Sequence, residues 1–211
     1  MLPGINRETP GYACQDFFNF AIQEALKPEV GRVVLCCFWE AYFADVGRFP
    51  DGKATEVYHV NDPDKKPLQL ASPHAAQSFR ELGETVAKLT GAGKEVVIIL
   101  SHPSSSRWNP RTWSTRLPWQ FQQASQEAHT ISRSEFESHA KALQEKLVAS
   151  VLSNGGKVID PLPYFEEEGS FHGRRADGEF YYRDGNHLRP FYAVERATFL
   201  DPLIQWPGKQ P

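Results

Sequence analysis

Apolar residues in this chain follow two rhythms, and their alternation predicts most of its elements. In CQDFFNFAIQEAL, from Cys14 to Leu26, the residues Phe17, Phe18, Ala21, Ile22 and Ala25 fall on one helical stripe, and Pro28 closes the segment. GRVVLCCF, which follows from Gly31, is a continuous apolar run of strand length, the pattern of a strand covered on both faces. WEAYFADVG then leaves the sheet, and TEVYHV is a short strand-like piece within polar, proline-rich sequence. SPHAAQSFRELGETVAKLTGAG predicts a second helix, with Ser72 as cap, Pro73 in its first turn and Phe79, Leu82, Val86 and Leu89 as its buried face.

KEVVIILS, from Lys94, is a second continuous apolar strand, followed by the long irregular HPSSSRWNPRTWSTRLPWQ. A third helix runs from Ser132 or Ser134 to Leu152, with Phe136, Ala140, Leu143, Leu147 and Val151 as its stripe; Ser132 and Glu135 have the spacing of a capping box. KVIDPLPYF predicts a third strand entering a loop, GEFYYRD an extended segment, and RPFYAVERATFLDPLIQW a last helix beginning near Pro190.

Strands that alternate with helices and read as unbroken apolar runs argue for an α/β fold, a three-layer sandwich with a mainly parallel sheet. A chain of 211 residues suits one domain over 1–211. Sites in such sheets lie at the carboxyl ends of the strands, which here are Trp39–Tyr42, Ser101–Trp119 and Asp160–His187.

Composition narrows the partners. A net charge of -3 without any Lys/Arg-rich block excludes an electrostatic footprint for nucleic acid and favours a small or polar partner. Sixteen prolines and fifteen glycines point to long ordered loops around a scaffold. Cys14, Cys36 and Cys37 match no metal or disulfide framework; alternation sends Cys36 and Cys37 to opposite faces of an apolar strand, as buried thiols. No apolar stretch approaches the roughly 20 residues that span a bilayer, and MLPGINRETPGYACQ lacks the apolar core of a signal peptide, so the chain as written reads as cytoplasmic. Walker-type, G-x-G-x-x-G and H-E-x-x-H patterns are absent, and no cofactor or metal is expected.

The chemistry concentrates in YYRDGNHLRP, where Asp184 stands three residues before His187. Asp, Gly and Asn are ordinary turn residues, so the segment reads as a turn that contains a histidine. A second reading is a carboxylate holding an imidazole in one tautomer, with the other nitrogen free as a base toward a hydroxyl. His102, beside Ser101 and Ser104 at a strand end, is the weaker candidate base. Neither G-x-S-x-G nor Gly-Asp-Ser occurs, and the serines of SHPSSS read first as turn formers.

VVLCCFWEAY, EVVIILSHP and VIDPLPYF with GEFYYRDGNHLRPFYA together resemble the SGNH hydrolase-like domain that many bacterial membrane O-acyltransferases carry at their C-terminal end, over about Cys14 to Ile204. The resemblance implies a flavodoxin-like SGNH hydrolase fold, His187 as general base, Asp184 as the acid that orients it, and Trp39 as the aromatic closing the first of these strands near the substrate. It further implies an acyl-serine mechanism on acetyl or other acyl esters of envelope saccharides, no cofactor, and fusion to or association with a membrane acyltransferase module, which would place the domain outside the cytoplasm. Three departures accompany it: no Gly-Asp-Ser block is visible, Phe38 stands where the family favours arginine, and the Gly and Asn blocks of the oxyanion hole are not recognisable. The chain is therefore expected to lack the family's first strand and to leave an apolar sheet edge open. The alternative is a saccharide-binding module of the same fold without catalysis, with Trp39, Trp108, Trp113 and Trp119 either stacking on sugar faces or serving as buried anchors of a long loop.

Overall fold

The structure, a computed structural model, describes residues 2–7, 13–46, 57–112 and 129–204. In chain order these form β1 (Ile5–Arg7), α1 (Cys14–Ala25), β2 (Arg32–Cys36), β3 (Val57–His59), α2 (Pro73–Gly91), β4 (Glu95–Ile99), β5 (Thr130–Ser132), α3 (Arg133–Leu152), β6 (Lys157–Ile159), α4 (Leu162–Phe165), β7 (Ser170–His172), α5 (Pro190–Arg196) and α6 (Asp201–Ile204). They belong to two compact units: Met1–Arg48, Gly52–Ser101 and His139–Asp160 make the first, and His102–Ser138 with Pro161–Pro211 the body of the second.

The first unit is built on a parallel sheet of order β2-β4-β6, with Leu35 opposite Ile98 and Ile98 opposite Val158. This is the mixed α/β architecture expected from the strand and helix alternation. β4 is central, and its apolar residues from Val96 to Ile99 are all buried, as an unbroken apolar run predicts. Its core joins Phe18, Ile22 and Ala25 of α1, the Phe79–Leu82–Val86–Leu89 face of α2, and Leu143, Leu147 and Val151 of α3. Ser72 caps α2 as expected, its hydroxyl accepting the Ala75 N–H at 3.1 Å. β1 and β3 form a separate antiparallel pair, and β1 carries no pattern that announced it.

β2 departs from expectation. Val33, Leu35 and Cys37 turn toward the core, while Val34 is 40% exposed and Cys36 is exposed as well. Both faces were expected to be covered. Among the described residues β2 pairs only with β4, at the edge of the sheet, and alternation sends Val33 and Leu35 to the covered face and Val34 and Cys36 to the open one. Cys36 is therefore not the buried thiol its setting predicts.

The second unit holds the antiparallel pair β5–β7 and an aromatic core. Tyr181 stacks on Tyr192 at 3.8 Å between ring centroids, Trp108 lies 4.6 Å from Tyr182, and Phe136 meets Phe171 edge-on at 5.7 Å. Gly173 makes room for the Trp108 indole, since a Cβ there would stand 2.1 Å from Trp108 Cδ1. The expected last helix is broken into α5, a 3-10 turn over Ala197–Leu200, and α6. Pro202 has no N–H to return to the preceding turn, so a continuous α-helical ladder cannot run through it. No helix among the described residues is long and apolar enough to cross a membrane.

Candidate functional site

The Asp184–His187 segment is the tip of a short hairpin in the second unit. Arg189 N–H donates to the Tyr181 carbonyl and Arg183 N–H to the His187 carbonyl, each at 2.8 Å, with Tyr182 bridged to Leu188 between them. Inside this loop Asp184 Oδ1 accepts the backbone N–H of Asn186 at 3.0 Å and of His187 at 2.9 Å. That is the turn chemistry of an aspartate. The same carboxylate takes the His187 ring: Nδ1 lies 3.0 Å from Oδ1 and 2.9 Å from Oδ2. Both readings of the segment are satisfied by one side chain.

With Nδ1–H donating to Asp184, the imidazole is held in the tautomer whose Nε2 carries a lone pair. The His187 side chain is 71% exposed and that of Asp184 only 37%, so the base faces solvent over a more sheltered acid. Burial pushes the Asp184 carboxyl up, but the N–H groups of Asn186 and His187 together with the His187 ring outweigh it and hold the carboxyl below its usual range.

The segment after β4 pins this hairpin in place. Tyr182, fully buried, donates its hydroxyl to the Pro103 carbonyl at 2.8 Å, and Ser105 N–H donates to the Gly185 carbonyl at 2.9 Å. His102 Nε2–H donates to the Asn186 carbonyl at 2.7 Å. Burial, with the neighbouring His187 charge, holds the His102 imidazole below its usual range, against the pull of the Asn186 carbonyl. The weaker candidate base is thus a neutral ring already engaged in positioning the stronger one.

A cleft of about 860 Å³ opens beside the hairpin tip, lined by Asp184, His187, Arg111, Arg183, Arg189 and Phe191 among others. Among the described residues no three His, Cys, Asp or Glu side chains group to hold a metal.

At the carboxyl ends of the parallel strands in the first unit, Trp39 is fully buried and its indole N–H donates to the Ile99 carbonyl at 2.8 Å. Trp39 therefore stands just after β2 with no exposed face. Next to it, Ser101 donates its hydroxyl to Glu40 Oε2. Glu40 is 4% exposed and its Oε1 has no hydrogen-bond partner among the described residues; burial pushes its carboxyl up, the Ser101 hydroxyl and the Glu40 main chain acting the other way. Trp108 is fully buried too, with its N–H on the His129 carbonyl at 2.7 Å, and Trp113 and Trp119 lie outside the described residues.

Residues 1–200 match the family model described as SGNH domain (fused to AT3 domains). The chain belongs to this SGNH family. No curated protein matched it. The match takes in both strand ends and the Asp184–His187 hairpin of the SGNH domain, and the family description ties such domains to acyltransferase modules.

The site of the SGNH domain combines an oriented imidazole with a free nitrogen, an ionised carboxylate behind it and an open cleft in front, the parts required to move a proton on and off a hydroxyl. One role at the site escaped the sequence reading. The anchoring role of His102 depends on a contact across 84 positions, which spacing alone cannot reveal.

Proposed function

We propose that the chain is the SGNH part of a bacterial O-acyltransferase or esterase that acts on acetyl or other acyl esters of cell-envelope saccharides, with Asp184 and His187 as its acid-base pair. The observation that carries this reading is the His187 ring fixed by Asp184 through Nδ1 at a cleft, with no partner on Nε2 among the described residues. In the reaction, Nε2 takes the proton of a serine hydroxyl as its oxygen attacks the acyl carbonyl. The ester bond to the leaving alcohol breaks, and the same proton passes to that alcohol's oxygen. A water or saccharide hydroxyl, deprotonated by the same nitrogen, then attacks the acyl carbonyl, the bond to the serine oxygen breaks, and the proton returns from Nε2 to that oxygen. Asp184 stays ionised throughout and stabilises the imidazolium. Trp39 serves by closing the strand end from within the core, and residues 1–211 act as one functional domain, outside the cytoplasm when joined to a membrane acyltransferase.

The serine is not supplied by a Gly-Asp-Ser block within these 211 residues. The reading frame ahead of Met1 tests its source: an in-frame Gly-Asp-Ser segment completes the triad, whereas an in-frame stop without one removes the nucleophile from the account. The same observation favours a second reading, a saccharide-binding module that retains the cleft without turnover. Hydrolysis of an aryl acetate that disappears in His187→Ala would exclude that module; glycan binding with no turnover would support it.

A further inference from the structure

We infer that the cleft beside His187 takes a saccharide bearing negative charge, a carboxylate or a phosphate, read by Arg183 and Arg189. The inference rests on the reading of this cleft as the substrate site and adds the charge of what enters it.

The two arginines bracket the motif in RDGNHLR, and the hairpin hydrogen bonds through their main chains bring both to the same cleft, where Arg111 joins them. The one carboxylate lining it is Asp184, whose oxygens already accept two backbone N–H groups and the His187 ring. Neither Arg183 nor Arg189 has a carboxylate partner among the described residues, and Arg189 Nε is buried without any hydrogen bond. Several other arginines have carboxylate partners: Arg32 with Glu95, Arg107 with Glu135, Arg133 with Glu137 and Glu166, Arg196 with Glu167. In a chain with 26 acidic and 23 basic residues, carboxylates are plentiful, yet among the described residues none besides the already engaged Asp184 lines this cleft.

A guanidinium with a desolvated N–H and no acceptor carries a cost that a bound anion would remove. Its planar fork matches the two oxygens of a carboxylate or phosphate. Phe191 supplies an apolar wall on which the C–H face of a sugar ring can lie. Charge, fork and wall together describe an acidic sugar better than a neutral one.

Titration of the full chain with glucuronate, glucose and inorganic phosphate, followed by amide chemical shifts, tests this. Glucuronate is expected to shift the Arg183–Arg189 signals and to bind at least about tenfold more tightly than glucose, with the preference weakening as salt is raised. Arg183→Gln, at an exposed position, is expected to remove most of that preference, and Arg183→Lys to restore only part of it, because a point charge lacks the fork. Phosphate binding more tightly than glucuronate would assign the charge to a phosphorylated sugar, and the reverse order to a uronic-type sugar. Equal binding of glucose and glucuronate, or a preference unchanged in both Arg183→Gln and Arg189→Gln, would overturn the inference. Ester turnover measured on the same samples separates the two accounts, since absent turnover with an intact preference counts against the role of His187 and not against the anion site.

Discussion

Asp184 holds both the main chain and the side chain of His187, accepting its backbone N–H at 2.9 Å and its ring Nδ1–H at 2.9 Å. Shape of the loop and tautomer of the base therefore depend on one carboxylate, and amide and alanine replacements separate the two. Asp184→Asn keeps a side-chain oxygen for the backbone donors and is expected to melt near wild type. Asp184→Ala loses those bonds and is expected to cost about 1 kcal/mol in chemical denaturation. In a protein that carries the serine, Asp184→Asn is expected to lower kcat by about four orders of magnitude, since the imidazole loses its preferred tautomer.

The pairing has a defined pH window. The Asp184 carboxyl is held below its usual value, so the stability it contributes is fully present above the ordinary aspartate range and is lost as pH falls through the lowered folded value. Wild type is expected to lose stability in strong acid more steeply than Asp184→Asn, as read from denaturation midpoints across acidic pH. Identical profiles would contradict the pairing.

Glu40 has the opposite sign. Burial raises its carboxyl, so its neutral form fits the folded state; the stability it contributes is present below the ordinary glutamate range and is lost as pH rises toward the folded value. Glu40→Gln, which stays neutral and can still accept from Ser101, is expected to be at least as stable as wild type at pH 8 and to flatten the loss between mild acid and neutrality. A variant markedly less stable than wild type at pH 8 would show that the charged form is the one the fold accommodates.

Gly173 tests the packing that supports the site. A methyl group there would enter the Trp108 indole, which packs on Tyr182, whose hydroxyl is one of the ties to the segment after β4. Gly173→Ala is expected to destabilise by about 1–3 kcal/mol through overpacking. A thermal midpoint equal to wild type would mean the indole sits elsewhere.

The open side of β2 predicts behaviour at high concentration. Val34 and Cys36 face outward from an edge strand, a template for unwanted pairing. Val34→Lys is expected to raise the concentration at which light scattering detects self-association, without lowering the melting midpoint.

Elements governed by local pattern were legible before the structure. The faces of α2 and α3 follow their apolar stripes, α1 buries Phe18, Ile22 and Ala25 of its stripe but leaves Phe17 62% exposed, and Val96 to Ile99 of β4 are buried, as their composition requires. The three-residue strands β1, β5 and β7 are too short to carry a periodicity, and their pairing is set by neighbours distant in sequence. For β2 the same apolar composition was compatible with one covered face or two, and only what packs on each face decides. At the site, the gap between Asp184 and His187 was sufficient to propose their pairing, because a turn of that length brings the two side chains together. The unpartnered state of Arg183 and Arg189 and the burial of Glu40 are tertiary facts with no local signature.

The most direct test of the central claim is a long-range proton–nitrogen correlation spectrum of the His187 ring in the intact chain. The account predicts a protonated Nδ1 and a bare Nε2 in the neutral imidazole, with a shift toward the other tautomer in Asp184→Asn. A neutral ring protonated at Nε2, or a tautomer indifferent to Asp184→Asn, would contradict it.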